Sequence, residues 1–427
     1  MTTTEGSQST RSRAVLLALL LLLAGGTALA AMTAAQLPPP GESPLGPQPW
    51  RAWTLSHVEN SVQVRVALAV DPAGTSHFLV GRYCCYRGNV DPYATAFDLV
   101  HAEPGPAGYT FTVVDTNAEV GDLVSDSAGR LHAAYESGGA SADLRYARRD
   151  LNGTWTIEVV EVTPQGKASV WNPNIAVAAD GTVHIGYSQT AQGFKHAWRT
   201  PQGVWTTEVV ETGGQFTGSD NGIDVDAQGR PHVAWRPHSP EHGYSIRYAV
   251  KDPVAGWLKE RASPSCMSDM DVAVDAQGNP HLTCHGGDGL LYVRRGATPG
   301  SWTQEVVSRG PYVGRGTSVA VDPTGKVHAT WYNFREPDVM GGLLQGYVHY
   351  GLRDPATGQW TLEPVDATLG WSGLDTKLVL DGHRVPRVAY IKQGSQPLPF
   401  CPFGYLCYDF RYAEPTLGLL VRGVGMP

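Results

Sequence analysis

Val225-Asp226-Ala227-Gln228-Gly229-Arg230-Pro231-His232-Val233-Ala234-Trp235 is the stretch whose reading decides the fold. Asp, two spacers and Gly make a tight turn: the carboxylate bonds local backbone amides and Gly takes a positive φ. On either side lie short apolar runs, and the second ends on an aromatic. The phrase recurs as Val70-Asp71…Gly74…His77, Val274-Asp275…Gly278…His281 and Val321-Asp322…Gly325…His328. Weaker copies place Gly129 before His132 and Gly181 before His184, and a last copy keeps Asp381 but carries Arg384 and Arg387 at the Gly and His positions. Successive glycines stand 55, 52, 48, 49 and 47 residues apart, and Arg384 follows 59 residues after Gly325. Periods of this size belong to propellers or solenoids.

Working outward, each copy reads as four strands. An alternating apolar strand precedes the turn, and a second carries the His and then Tyr135, Tyr187, Trp235, Trp331 or Tyr390. A third reads L/I-R-Y-A, as in Leu144-Arg145-Tyr146-Ala147 and Ile246-Arg247-Tyr248-Ala249. A fourth, W-T-x-E-V-V, begins at Trp155, Trp205, Trp302 and Trp360, with a looser copy at Trp257. No window has a 3.6-residue period, which excludes helical solenoids. Four-stranded units without helices are propeller blades. The seventh copy stops at its third strand, Phe410-Arg411-Tyr412-Ala413, whereas Trp53-Thr54-Leu55-Ser56-His57-Val58 stands alone before the first copy. The expected fold is therefore an all-β, seven-bladed propeller whose N-terminal strand supplies the outer strand of the last blade, leaving no open sheet edge.

The chain ahead of the array reads as a targeting region. Arg11 and Arg13 precede an apolar run from Ala14 to Ala24, and Ala28-Leu29-Ala30 offers a small-x-small cleavage site. The expected organisation is a signal peptide or uncleaved anchor at 1–30, a Pro-rich linker at 31–49 and the propeller at 50–427. That implies export to the extracellular, cell-surface or periplasmic space, with no membrane span after the signal segment. With 17% charged residues, a net charge of −8 and no basic stripe, the chain is a poor partner for phosphate backbones, so nucleic acid is excluded. The six cysteines suit an oxidising compartment.

The repeat rhythm resembles that of secreted bacterial β-propellers with sialidase-like (BNR-type) repeats, and the resemblance spans nearly the whole array. It implies architecture. The sialidase Asp-box has an S-x-D-x-G-x-x-W rhythm, whereas this chain has Asp150-x-x-Gly153-x-Trp155 and Asp354…Gly358-x-Trp360 at different spacing. The R-I/L-P motif of sialidase catalytic domains is absent, and no family catalytic residue transfers to this chain.

Several constellations invite a chemical reading. His77, His132, His184, His232, His281 and His328 recur at one blade position. They are expected to lie apart, packing and hydrogen-bonding between blades rather than converging on a metal. The repeat Asp residues are turn formers and the repeat tryptophans pack blades. His238-Ser239-Pro240-Glu241-His242 matches H-x-x-E-H, but Pro237 and Pro240 deny it the helix that a zinc protease needs. His238 and His242, with His285 and Asp288 from the next blade, remain a weak loop-metal candidate. No serine-nucleophile or nucleotide-binding motif occurs in a fitting context, and no cofactor is expected. Cys266 precedes the first strand of blade five and Cys284 ends its second, which favours a Cys266–Cys284 bridge. Cys84, Cys85, Cys401 and Cys407 fall in second-to-third-strand loops of blades one and seven. Cross-blade bridges, a local Cys401–Cys407 loop and a vicinal Cys84–Cys85 bond all remain open.

Strand order sends second-to-third-strand and blade-to-blade loops to one face, and these loops are long and non-repetitive. Function is most readily written there. Trp171, Trp371, Tyr312, Phe334 and Phe403 are the expected aromatics of that face, the first three in blade-to-blade loops. Asp220, Asp269, Asp271, Asp375, Arg315 and Lys377 are expected around the central funnel. Of these, Trp171, Trp371, Tyr312, Asp271, Asp375 and Arg315 form the candidate ligand site. Aromatics and carboxylates suit sugars, by stacking and hydroxyl hydrogen bonds. The expectation is a monomeric binding propeller for a glycan or an extracellular protein. The alternatives are a glycoside hydrolase or polysaccharide lyase using funnel carboxylates, and a structural cell-surface module.

Overall fold

The computed structural model describes residues 50–59, 65–83, 97–106, 108–137, 142–163, 169–190, 192–213, 217–218, 220–237, 245–296, 298, 300–310, 313–334, 346–366, 371–393 and 407–416. They form seven four-stranded antiparallel sheets, and no helix occurs among them. Six blades are built from four consecutive strands. The seventh takes Trp371–Leu380, Pro386–Gln393 and Cys407–Pro415 from the end of the chain and Trp50–Glu59 from its beginning. Trp50 pairs with Pro415 and Glu59 with Cys407, with one irregularity between Thr54 and Ser56. The ring closes as the orphan W-T strand requires.

The repeated residues explain the repeated geometry. In the turn, Asp226 Oδ1 accepts from the amides of Gln228 and Arg230, and Gly229 sits at φ 74°. The degenerate copy keeps the same turn, with Arg384 held at φ 65° where other blades use Gly. The repeat His residues bond within their own blade, which corrects the expected role between blades. His132, His232 and His281 each link the turn carboxylate (Asp126, Asp226, Asp275) to a third-strand tyrosine hydroxyl (Tyr146, Tyr248, Tyr292). The ring nitrogens are met on both sides, so burial holds the imidazoles neutral by lowering their pKa. Arg387 replaces this His in blade seven, binding Asp381, the Tyr412 hydroxyl and Glu414.

One set of contacts between blades comes from the fourth strand. The Glu of W-T-x-E accepts from the next blade's indole and from its third-strand cation. Trp205 and Arg199 meet Glu158, Trp302 and Arg295 meet Glu260, and Trp360 and Arg353 meet Glu305. Cys266 and Cys284 are joined in a buried disulfide in blade five, as the spacing suggested. Cys407 starts the third strand of blade seven rather than lying in a loop, whereas Cys84, Cys85 and Cys401 lie outside the described residues.

Candidate functional site

The first strands of the blades face the central channel, and their polar residues are mostly committed to holding the ring. Asp122 accepts from the Ile175 amide, Asp224 from Val274, Asp271 from Val319 and Asp375 from Val66. Asn174 donates to the Asn221 carbonyl, and Ser318 Oγ accepts from Leu378. Each bond joins one blade to the next, and together they serve six of the seven junctions. At the junction they leave out, blade one offers only Ala67, and Lys377 of blade seven ion-pairs with Asp122 of blade two at 2.7 Å. Burial pushes Asp224 and Asp375 up to about 6 and Asp271 upward, while Lys377 stays cationic because Asp122 and Asp271 outweigh its own burial. Asp271 and Asp375 thus stand on first strands, where Asp271 accepts through both oxygens, from Val272, Val319 and Ser318 Oγ, and Asp375 Oδ2 accepts from Val66.

Unspent chemistry gathers at the mouth on the long-loop face, between blades one, two and three. Glu119 and Glu136 are directly opposed on the first two strands of blade two. Such partners stand about 5 Å apart at Cβ. Burial pushes the Glu136 carboxyl up to about 7, with Arg65 pulling against it and the Glu119 charge adding to it. Burial raises Glu119 as well, again opposed by Arg65. The Asn172 amide donates to Glu136 Oε1 at 3.2 Å, and Asn172 sits at φ 54°, in the irregularity between Trp171 and Asn174 of its strand. Beside it, Trp171 is 37% exposed, with its indole N–H tied to Thr190 Oγ1 at 3.1 Å. Trp171 on the first strand of blade three offers a half-open ring face, and Glu119 and Glu136 of blade two offer an acidic pair, one member half-protonated near neutrality.

Among the sequence candidates, Trp171 and Trp371 fall inside first strands rather than in blade-to-blade loops, Trp371 opening its strand. Arg315 is engaged with Asp269 at 3.0 Å and Ser268 at 3.3 Å, at the blade five–six rim. His285 is buried, with Nδ1 at 2.9 Å from the Val313 carbonyl, and burial lowers its pKa. Tyr312, His238 and His242 lie outside the described residues. Sequence reasoning passed over Arg65, Glu119 and Glu136. The available signal was that neither Glu has a counterpart in the repeated phrase, so the blade does not demand it.

No family model and no curated protein matches the chain. Solved structures do. A protein of unknown function from Dyadobacter fermentans is similar at 12% identity and TM-score 0.48, over 86% of this chain and 99% of that one. AofleA from Arthrobotrys oligospora is similar at 10% identity and TM-score 0.46, over 78% and 92%. A Trypanosoma rangeli sialidase is similar at 10% identity and TM-score 0.44, over 74% of this chain and 57% of that one. Likeness at this level assigns no activity. The fold and the mouth define a seven-bladed propeller with an acidic, aromatic-flanked channel entrance.

Proposed function

We propose that this chain is an exported, monomeric recognition propeller that binds a glycan at the channel mouth on its long-loop face. The observation that carries this is the opposed Glu119–Glu136 pair of blade two together with the half-open Trp171 on the first strand of blade three. Propeller architecture requires none of the three, and together they offer a stacking plane and directional acceptors for sugar hydroxyls. Arg65 adds a cation for an acidic sugar. Trp371 and Tyr312 are assigned to the same face by sequence, and Arg315 to the central funnel. Export fits the buried disulfide, and no described helix is long and apolar enough to cross a membrane.

A second reading is favoured by one specific feature. Glu136, protonated near neutral pH and paired with a second carboxylate, has the character of a general acid, so hydrolysis of the bound glycan is the rival function. A glycan array on the purified protein tests binding, and turnover assays on each hit test hydrolysis. Trp171→Ala should weaken binding at least tenfold with the fold intact. Glu136→Gln should retain binding and, if the second reading holds, abolish turnover. An array without hits, or binding undiminished in Trp171→Ala, removes the mouth as the site.

A further inference from the structure

Blade one departs from the repeat on the opposite face, beside its D-x-x-G turn. In blades two, four, five and six, the repeat His places Nδ1 on a third-strand tyrosine hydroxyl: Tyr146, Tyr248, Tyr292 and Tyr350. Blade one carries His101 at that place, with Nε2 at 3.2 Å from His77 Nδ1. Two residues on, where blades two to six have Arg148, Trp198, Val250, Arg294 and Leu352 and blade seven has Glu414, it carries Glu103, whose Oε2 is 3.6 Å from the same His77 nitrogen. These three donor atoms lie within 4.8 Å of one another, the one such His/Cys/Asp/Glu group among the described residues.

From this arrangement we propose that blade one binds a divalent transition-metal ion, Zn²⁺ by preference, through His77 Nδ1, His101 Nε2 and Glu103 Oε2. Tetrahedral zinc with ligands at about 2.0–2.1 Å sets its donors roughly 3.3–3.4 Å apart. The two separations from His77, 3.2 and 3.6 Å, bracket that value. The donor set is imidazole and carboxylate, which suits borderline Zn²⁺. An outer set of partners is also in place. Asp71 Oδ2 lies 3.4 Å from His77 Nε2, the carboxylate–imidazole contact that orients a metal-bound ring. Arg149 of blade two holds Glu103 Oε1 at 2.7 Å, which turns Oε2 toward the imidazoles. His77 and His101 are buried while Glu103 is part-exposed, so the ion and a water as fourth ligand reach the site from the Glu103 side.

Blade three supplies an internal control. His184 and His196 also meet at 3.1 Å, but the nearby carboxylate, Glu208, sits on the far nitrogen of His196 and is held by Lys251. Among the described residues, the two rings there have no third donor beside their contact.

The test is titration of EDTA-treated, dialysed protein with ZnCl₂ by calorimetry, followed by metal analysis after gel filtration. Wild type should bind one equivalent and gain thermal stability. His101→Tyr restores the His–Tyr pair of four other blades and should keep the fold while losing zinc affinity by about 100-fold or more. His196→Tyr should leave the blade-one equivalent unchanged. If His101→Tyr fails to fold, Glu103→Gln serves in its place, with the same expected loss. The proposal is overturned if wild type takes up no zinc at 100-fold excess, or if a folded His101→Tyr or Glu103→Gln variant binds it as tightly as wild type.

Discussion

Removing the indole of Trp50 tests whether the N-terminal strand seals the ring. Trp50 is 1% exposed and packs between blades six and seven, its ring centroid 5.0 Å from that of Tyr350. Its Nε1 has no hydrogen-bond partner, so Trp50→Ala deletes packing alone. A buried Trp covers about 150–250 Å², worth roughly 4–6 kcal/mol at about 25 cal/mol per Å². Large-to-small core substitutions of Trp cost about 3–5 kcal/mol. With about 2.1 cal/mol/K of unfolding entropy per residue, a loss near 4 kcal/mol lowers the Tm of a propeller this long by about 5 °C. The assay is thermal and urea unfolding followed by tryptophan fluorescence and far-ultraviolet circular dichroism. Val254→Ala, at a residue 94% exposed, is the control and should fall within about 0.5 kcal/mol of wild type. A chain beginning at Ser61 should lose far more, because the whole edge of blade seven opens. If Trp50→Ala unfolds with the control, or the shortened chain melts at the parent temperature, sealing of the ring by this strand is refuted.

Other expected outcomes follow from single sites. Glu136 has a folded pKa near 7 against an ordinary 4.5, so its contribution to stability is full below pH 4.5 and lost as pH rises through 7, about 3 kcal/mol in all. Glu136→Gln should therefore gain on wild type in urea midpoint between pH 4.5 and 8, and a pH-independent difference would show that the carboxyl is not perturbed. Arg387→Ala leaves Asp381 and Glu414 buried without their cation and should cost about 3–5 kcal/mol, whereas Arg387→His, which rebuilds the Asp–His–Tyr arrangement of other blades, should recover most of it by the same unfolding assay. The Cys266–Cys284 bridge closes a loop of separation 18, worth about 3 kcal/mol, so mass mapping should find that pair joined and reduction should lower the Tm. Free thiols at both positions in exported protein would count against the bridge and against export.

How far each feature was legible follows from whether it repeats. The D-x-x-G turn, the second-strand aromatic and the W-T-x-E strand answer demands met inside one blade or between adjacent copies, so every blade states them again. Their period gave the number of blades, and the surplus W-T strand at one end matched the missing one at the other. Asp271 and Asp375 were read as funnel carboxylates, and their bonds to the next blade were hidden. Whether a carboxylate reaches a ligand or the next blade's backbone is decided by a neighbour 48 or 309 positions away. Glu119 and Glu136 gave no motif because they meet only when two strands pair in register.

The sequence alone, then, determined the all-β class, the seven blades and the closing strand, because local turn chemistry and a fixed period leave little else available to the chain. Only the tertiary structure decided that Lys377 crosses to Asp122, that Glu119 and Glu136 stand opposed in blade two, and that His77, His101 and Glu103 converge in blade one. These are contacts between residues that do not repeat. A non-repeating residue acquires neighbours only when the ring has closed and brought separate strands, and separate blades, to a common face.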